Sequence, residues 1–289
     1  METRAMKQKH HQQNQPEITI RRPHSPQEYK ALQEAQQKAW GITQDGYVVP
    51  VATMVGAQFH GGLVLGAFLP DGEAVGLSFS FMGRIHGELC LYSQLTGVVP
   101  GYQGHGIGSK MKWAQWEYAH SHQIPVVAWA YDPFQAGNAH FNLNMLRGKA
   151  RRFIDDMYGP RTDQLNAGVP TDRLIVEWPT SRDPRSILLE PIVFEEITQI
   201  IKTRLAEKRY YVVEHVNENF NNDIVLIEIP KKLADVQQND AGEAARWRTA
   251  LRESFHRAFH KGYVVTDFLR TPGDPDRCYY RLERNVWVS

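Results

Sequence analysis

One stretch constrains this chain more than any other: residues 91–122, LYSQLTGVVPGYQGHGIGSKMKWAQWEYAHSH. Its first part, 91–99, carries Leu, Tyr, Leu, Val and Val and reads as a strand that Pro100 stops. Glycines at 101, 104, 106 and 108 follow, so the backbone can come close to a ligand where any Cβ would intrude. Ile107, Met111, Ala114 and Tyr118 then recur at helical spacing, which predicts a helix with Lys110, Lys112, Gln115 and His120 on its wetter sides. A helix that starts in a glycine turn directs unpaired N–H groups and the positive end of its dipole toward that turn. Such a turn is an anion site, and the ligand it implies carries a phosphate or pyrophosphate.

Spacing separates the glycine loops that compete for this stretch. A nucleotide P-loop needs Lys followed by Ser or Thr after its last glycine, whereas Gly108, Ser109, Lys110 run in the reverse order. The dinucleotide fingerprint needs a third glycine, and Ser109 occupies its place; Asp132 stands near the acidic position that fingerprint requires, so an NAD-type reading is weakened but stays open. The third loop is the pyrophosphate loop of the GNAT acyltransferase superfamily: Gln or Arg, two residues, Gly, one residue, then Gly or Ala. The run Gln103, Gly104, His105, Gly106, Ile107, Gly108 resembles it at every specified position.

The resemblance covers residues 17–180 and implies an α/β (α+β) fold, a mixed sheet flanked by helices. It implies acetyl-CoA or another acyl-CoA as cofactor, held by Val98, Val99, Gln103, Gly104, His105, Gly106, Ile107, Gly108 and Ser109. GNAT proteins splay the fourth and fifth strands so that the pantetheine arm lies between them. Here 125–131, PVVAWAY, is the β-rich run after the helix, ended by Asp132 and Pro133. A helix over 138–146 follows with Asn138 as its cap. An Asn after the fifth strand often lies near the cofactor in the family, which makes Asn138 the last cofactor candidate.

Acyl transfer to an amine needs a group that accepts a proton from the amine and a donor for the leaving thiolate. Many GNAT enzymes use an Asp or Glu on the central strands and a Tyr on the helix after the fifth strand. Glu88 at the start of the fourth strand and Asp132 at the end of the fifth are the carboxylate candidates, with Tyr92 and Ser93 between. The family's tyrosine falls at Met145, which cannot donate a proton. Tyr131 and Tyr158 are its substitutes, and His140 and Asn142 have suitable chemistry or serve as caps. Toward the acceptor, Tyr47, Gln58 and His60 are pocket candidates. The polar loop 159–173 offers Arg161 and Arg173 as carboxylate or phosphate clamps, against surface ion pairs.

Composition bounds the remaining classes. A net charge of +1 gives no argument for nucleic acid or an anionic membrane surface. Two cysteines, Cys90 and Cys278, are too few for a disulfide framework and lack metal-type spacing, so no metal is expected. No stretch nears the ~20 apolar residues of a membrane span, and the Gln- and His-rich residues 1–16 read as a mobile tail without a signal-peptide core, which makes the cytoplasm the default.

The rest of the chain follows the same local rules. Strands are expected at 17–22, 63–69, 74–85, 153–158 and 174–178, and helices at 26–40 and 48–59. A boundary is expected at 181–185, followed by a second, smaller α/β module over 186–289. That module is read as a helix at 191–205, a hairpin of 209–216 with 224–229, a helix at 241–261, and strands at 263–269 and 278–283. The long helix turns Trp247, Leu251, Phe255, Ala258 and Phe259 inward. Its Arg246, Arg248, Arg252, His256 and Arg257 make one side basic, a solvated face or an anion site. It resembles the C-terminal extension on a group of GNAT proteins. The function that follows is an acyl-CoA-dependent transfer to a small-molecule amine acceptor, with the module on the acceptor side or in a homo-oligomer contact. Acyl-CoA binding without turnover, as in a sensor, is the rival reading.

Overall fold

The structure, a computed structural model, describes residues 17–43, 47–159, 170–186, 193–206, 210–271 and 273–284. The chain divides into two compact units, Met1–Phe79 with Leu95–Lys112, and Ser80–Gln94 with Trp113–Ser289. Both are mixed α/β.

In the first unit β1 (Thr19–Arg21) pairs antiparallel with β2 (Leu63–Phe68). Strand β3 (Ala74–Ile85) and strand β4 (Glu88–Val98) complete the order β1-β2-β3-β4, each giving one part of its length to this unit. Helix α1 (Pro26–Trp40) begins where Pro26 pre-sets φ and Ser25 accepts from the Glu28 N–H, and it ends at Gly41 in the left-handed region. Helix α2 (Val51–Phe59) starts only after Pro50, three residues later than its apolar pattern predicts. Tyr29, Leu32, Ala35, Met54, Phe68, Leu77 and Phe79 form one core, and Ala67, Val75, Ile107 and Met111 another. A Cβ at Gly97 would lie 2.2 Å from the Trp40 ring, so that glycine is what admits the indole.

Arg21 fastens β1 to α1. Its guanidinium donates two 2.8 Å bonds to Glu28, which also accepts from the His24 N–H at 2.7 Å. The Arg21 bond foremost, then the His24 N–H, holds the Glu28 carboxyl down at about 2. A carboxyl depressed on folding stabilises the fold above its unfolded pKa and loses that contribution as pH falls through the folded value. Solvent screens a part-exposed pair, so Glu28→Gln should cost about 1 kcal/mol at pH 7. Chemical denaturation of the two proteins should show that difference shrinking as pH falls from 4.5 toward 2.

In the second unit the strand order continues from β3 and β4 as β5-β7-β6-β12-β13-β11-β8. These are β5 (Val126–Tyr131), β6 (Lys149–Ile154), β7 (Arg173–Pro179), β8 (Thr198–Gln199), β11 (Ile224–Pro230), β12 (Tyr263–Thr271) and β13 (Asp274–Arg284). Strands β9 (Ile201–Leu205) and β10 (Tyr211–Val216) form a separate antiparallel pair. Helix α3 (Ile107–Ser121) enters this unit at Trp113. A short α4 (Ala136–Ala139) runs into a π-helical turn, His140–Met145. Two C-terminal helices follow, α5 (Leu233–Asn239) and α6 (Ala241–His260). Trp247, Leu251, Phe255 and Ala258 on α6 are buried as their spacing predicts, with the Phe255 ring 5.3 Å from Phe153 and 5.2 Å from Tyr280.

Several expectations are corrected. The inward face of α3 includes Lys112, Gln115, Trp116 and Ala119, not Ala114 and Tyr118, because buried Gln115 donates to the hydroxyls of Ser80 and Ser93 at 3.0 Å. Residues 191–205 do not form one long helix where described: Phe194–Glu196 is a short 3₁₀ turn, and Thr198–Gln199 and Ile201–Leu205 are strands, in keeping with their β-branched content. The hairpin expected of 209–216 with 224–229 does not form, since β10 pairs with β9 while β11 pairs with β13 and β8. Strand β12 pairs with β6 through Val265 and Ala150, giving that edge the partner its N–H and C=O groups require.

Candidate functional site

The glycine turn lies wholly in the first unit. Gly101, Gly104 and Gly106 have φ of 87°, 80° and 76°, which explains glycine at each. Residues 103–106 are exposed, and Ile107 anchors the turn by packing with Val98 and Tyr102. Gln103 ties the turn back to the strand, its side-chain amide donating to the Val98 carbonyl at 3.0 Å, while Tyr102 N–H donates to the Val99 carbonyl. The helix's first bond runs from Lys110 N–H to Gly106 O. The N–H groups of Ile107, Gly108 and Ser109 therefore have no partner within the helix. A Cβ built at Gly104 or Gly106 meets no protein atom within 4 Å. Unpaired donors, a helix dipole and open space in front of them fit a pyrophosphate.

The remaining candidates lie in the second unit. Strands β4 and β5 pair in parallel through Cys90–Val126, Leu91–Val127 and Tyr92–Ala128, and the ladder ends there although β5 runs on to Tyr131. Glu88 is exposed at the far end of that ladder, four residues before Tyr92. Tyr131 is buried, its hydroxyl donating to Tyr280 at 3.3 Å, which in turn donates to the Pro133 carbonyl. Burial holds its pKa far above the ordinary phenol value, and the hydroxyl is committed to the interior. Asp132 orders the next turn, accepting from Phe134 N–H at 2.9 Å. Asn138 is exposed inside α4 and caps nothing, because the helix starts two residues earlier. Asn142 accepts from the Trp129 indole, and His140 bonds Asn144. Gln58 binds the Tyr29 hydroxyl and the Val64 N–H, so it is a structural residue of the first unit. Arg161, with most of the polar loop, lies outside the described residues.

A cluster that the sequence shows only as a basic helix side forms at the end of β5. Tyr131 pairs with Leu174, so Arg173 on β7 stands level with Asp132. Arg173 lies over the Tyr158 ring at 5.2 Å and donates to the Asp172 carbonyl. From α6, Arg252 makes two bonds to Asp172 and reaches Asp155 at 3.6 Å. Arg248, one turn earlier, lies over the Phe134 ring at 5.3 Å. Tyr92, the last residue of the ladder, packs on Phe81 at 5.3 Å, and its buried hydroxyl has no hydrogen-bond partner. The i, i+4 spacing of Arg248 and Arg252 was the available signal.

Among the described residues no helix is long and apolar enough to cross a membrane. No family model and no curated protein matches the chain. Solved structures do. The chain is similar to the ribosomal-protein-S18-alanine N-acetyltransferase from Escherichia coli, at 15% identity and a TM-score of 0.45 over 60% of this chain and 100% of that one. It is similar to a chain of the NatC complex bound to Gag peptide and CoA, at 13% identity and a TM-score of 0.45 over 56% and 98%. Arabidopsis thaliana NAA60 in complex with a bisubstrate analogue matches at 16% identity and a TM-score of 0.43, over 56% and 98%. All three TM-scores lie below 0.5, so the likeness by itself assigns no activity to this chain.

Proposed function

We propose that this chain is an acyl-CoA-dependent acyltransferase acting on a small amine, with residues 17–180 carrying the transfer and 186–289 the acceptor side. The observation that supports it is the turn Gly101–Ser109, where three left-handed glycines precede the unpaired N–H groups of Ile107, Gly108 and Ser109. These residues would hold the pyrophosphate, with the Val98 and Val99 backbone leading away from it. A bound acyl-CoA supplies an acyl group activated as a thioester. On the protein side an amine attacks only when neutral, so a carboxylate or water chain takes its proton. Asp132, at the end of β5, retains lone pairs beyond its turn bonds and is our candidate for this role, with Glu88 the alternative. Burial first, then Tyr158, raises the Tyr92 pKa, and its buried hydroxyl would need to open before it could serve as a phenol donor.

The rival, acyl-CoA binding without turnover, is favoured by Met145, which faces solvent where the family's acid would stand. Thiol release from acetyl-CoA with a panel of amines separates the two. For the cofactor itself, CoA at a hundred times its dissociation constant should stabilise the fold by about 2.7 kcal/mol, raising Tm. A shift with NAD and none with CoA would reverse the assignment.

A further inference from the structure

We infer that Arg248, aided by Arg173, is a carboxylate clamp and that the acceptor is an amino acid with an apolar side chain; only the word acceptor rests on the acyltransferase reading. The neighbouring Arg252 is spoken for by Asp172 and Asp155. Arg248 is different. Among the described residues no carboxylate lies within ion-pairing distance of its half-buried guanidinium, which rests on the Phe134 ring. It feels Asp132 and Asp172 at longer range and is opposed by Arg173 and Arg252. Burial is the main cause that pulls its pKa down. A half-buried guanidinium whose carboxylates act only at longer range gains from an anion in direct contact, and one held over a ring is pre-organised for a planar carboxylate.

The surroundings choose between anions. Asp132 adds negative charge that a phosphate dianion would meet as repulsion, whereas a zwitterion offers its carboxylate to Arg248 and its amine to Asp132. Tyr158, 36% exposed, supplies ring surface for an apolar side chain beside Arg173.

Calorimetry without CoA tests the clamp, using L-phenylalanine, L-leucine and L-methionine against the matched amines that lack the carboxylate. At least one amino acid should bind about tenfold or more tighter than its amine. Arg248→Met should erase that preference while CoA affinity and the far-ultraviolet circular dichroism stay unchanged, and Arg248→Lys should keep part of it. Equal binding of each matched pair, binding of none of the amino acids, or a preference that survives in Arg248→Met would overturn the proposal. Should Arg248→Met not fold, the matched pairs on the unaltered protein and on Arg248→Lys decide. Loss of CoA binding by the unaltered protein would sink the acyltransferase reading and leave the clamp result standing.

Discussion

Gly106→Val should leave the protein folded and abolish CoA binding. The backbone at Gly106 has φ of 76°, where an L side chain is strained, and a left-handed residue costs roughly 1–2 kcal/mol. That strain is tolerable within the ~5–15 kcal/mol stability of a typical protein. No clash adds to it, because the new Cβ meets no protein atom within 4 Å. The branched side chain projects instead into the space before the Ile107, Gly108 and Ser109 N–H groups, where a pyrophosphate would have to come within hydrogen-bond reach. Affinity for CoA should fall at least about a hundredfold, equivalent to about 2.8 kcal/mol. The circular dichroism should be unaltered and Tm lower by a few degrees. A folded variant that binds CoA as tightly as before would move the phosphate site elsewhere.

Ending the chain after Thr180 should have a larger effect, and one opposite to what the sequence predicts. Two separate cores would let residues 17–180 stand alone. The C-terminal segment, however, clusters in the same compact unit as β5, β6 and β7. Without it β6 loses β12, Phe153 loses the Phe255 ring, buried Tyr131 loses Tyr280, and buried Asp172 loses the two bonds of Arg252. Each large side chain returned to water forfeits roughly 1.5–3 kcal/mol. Three or four such losses, with a bared sheet edge, are comparable to the whole margin of most folds, roughly 5–15 kcal/mol. The truncated chain should aggregate or melt without a cooperative transition, whereas a soluble monomer with a sharp melting curve would show the unit to be separable.

What the sequence by itself determined is what neighbouring residues decide among themselves. Ser25, Pro26 and Gly41 bound α1 because capping and left-handed termination act within one turn of chain. The turn at 101–106 was legible for the same reason, since positive φ selects glycine locally whatever lies around it. The inward face of α6 was equally plain, its apolar spacing being long and uninterrupted.

Only the tertiary structure decided the matters that depend on partners far along the chain. Gln115 reads as a wetter-side residue until Ser80 and Ser93 supply hydroxyls for its amide. Tyr131 reads as a catalytic candidate until Tyr280, from the last strand, takes its hydroxyl into the interior. Residues 191–205 read as a helix from their apolar period, yet 198–205 are strands because a neighbouring edge claims the backbone, as β11 claims β8 and β10 claims β9. Arg248 and Asp132 belong to one cluster only because α6 returns to the end of β5. Helix and turn signals act over a few residues, whereas buried polar pairs such as these join residues 22 to 149 positions apart, which no local pattern encodes.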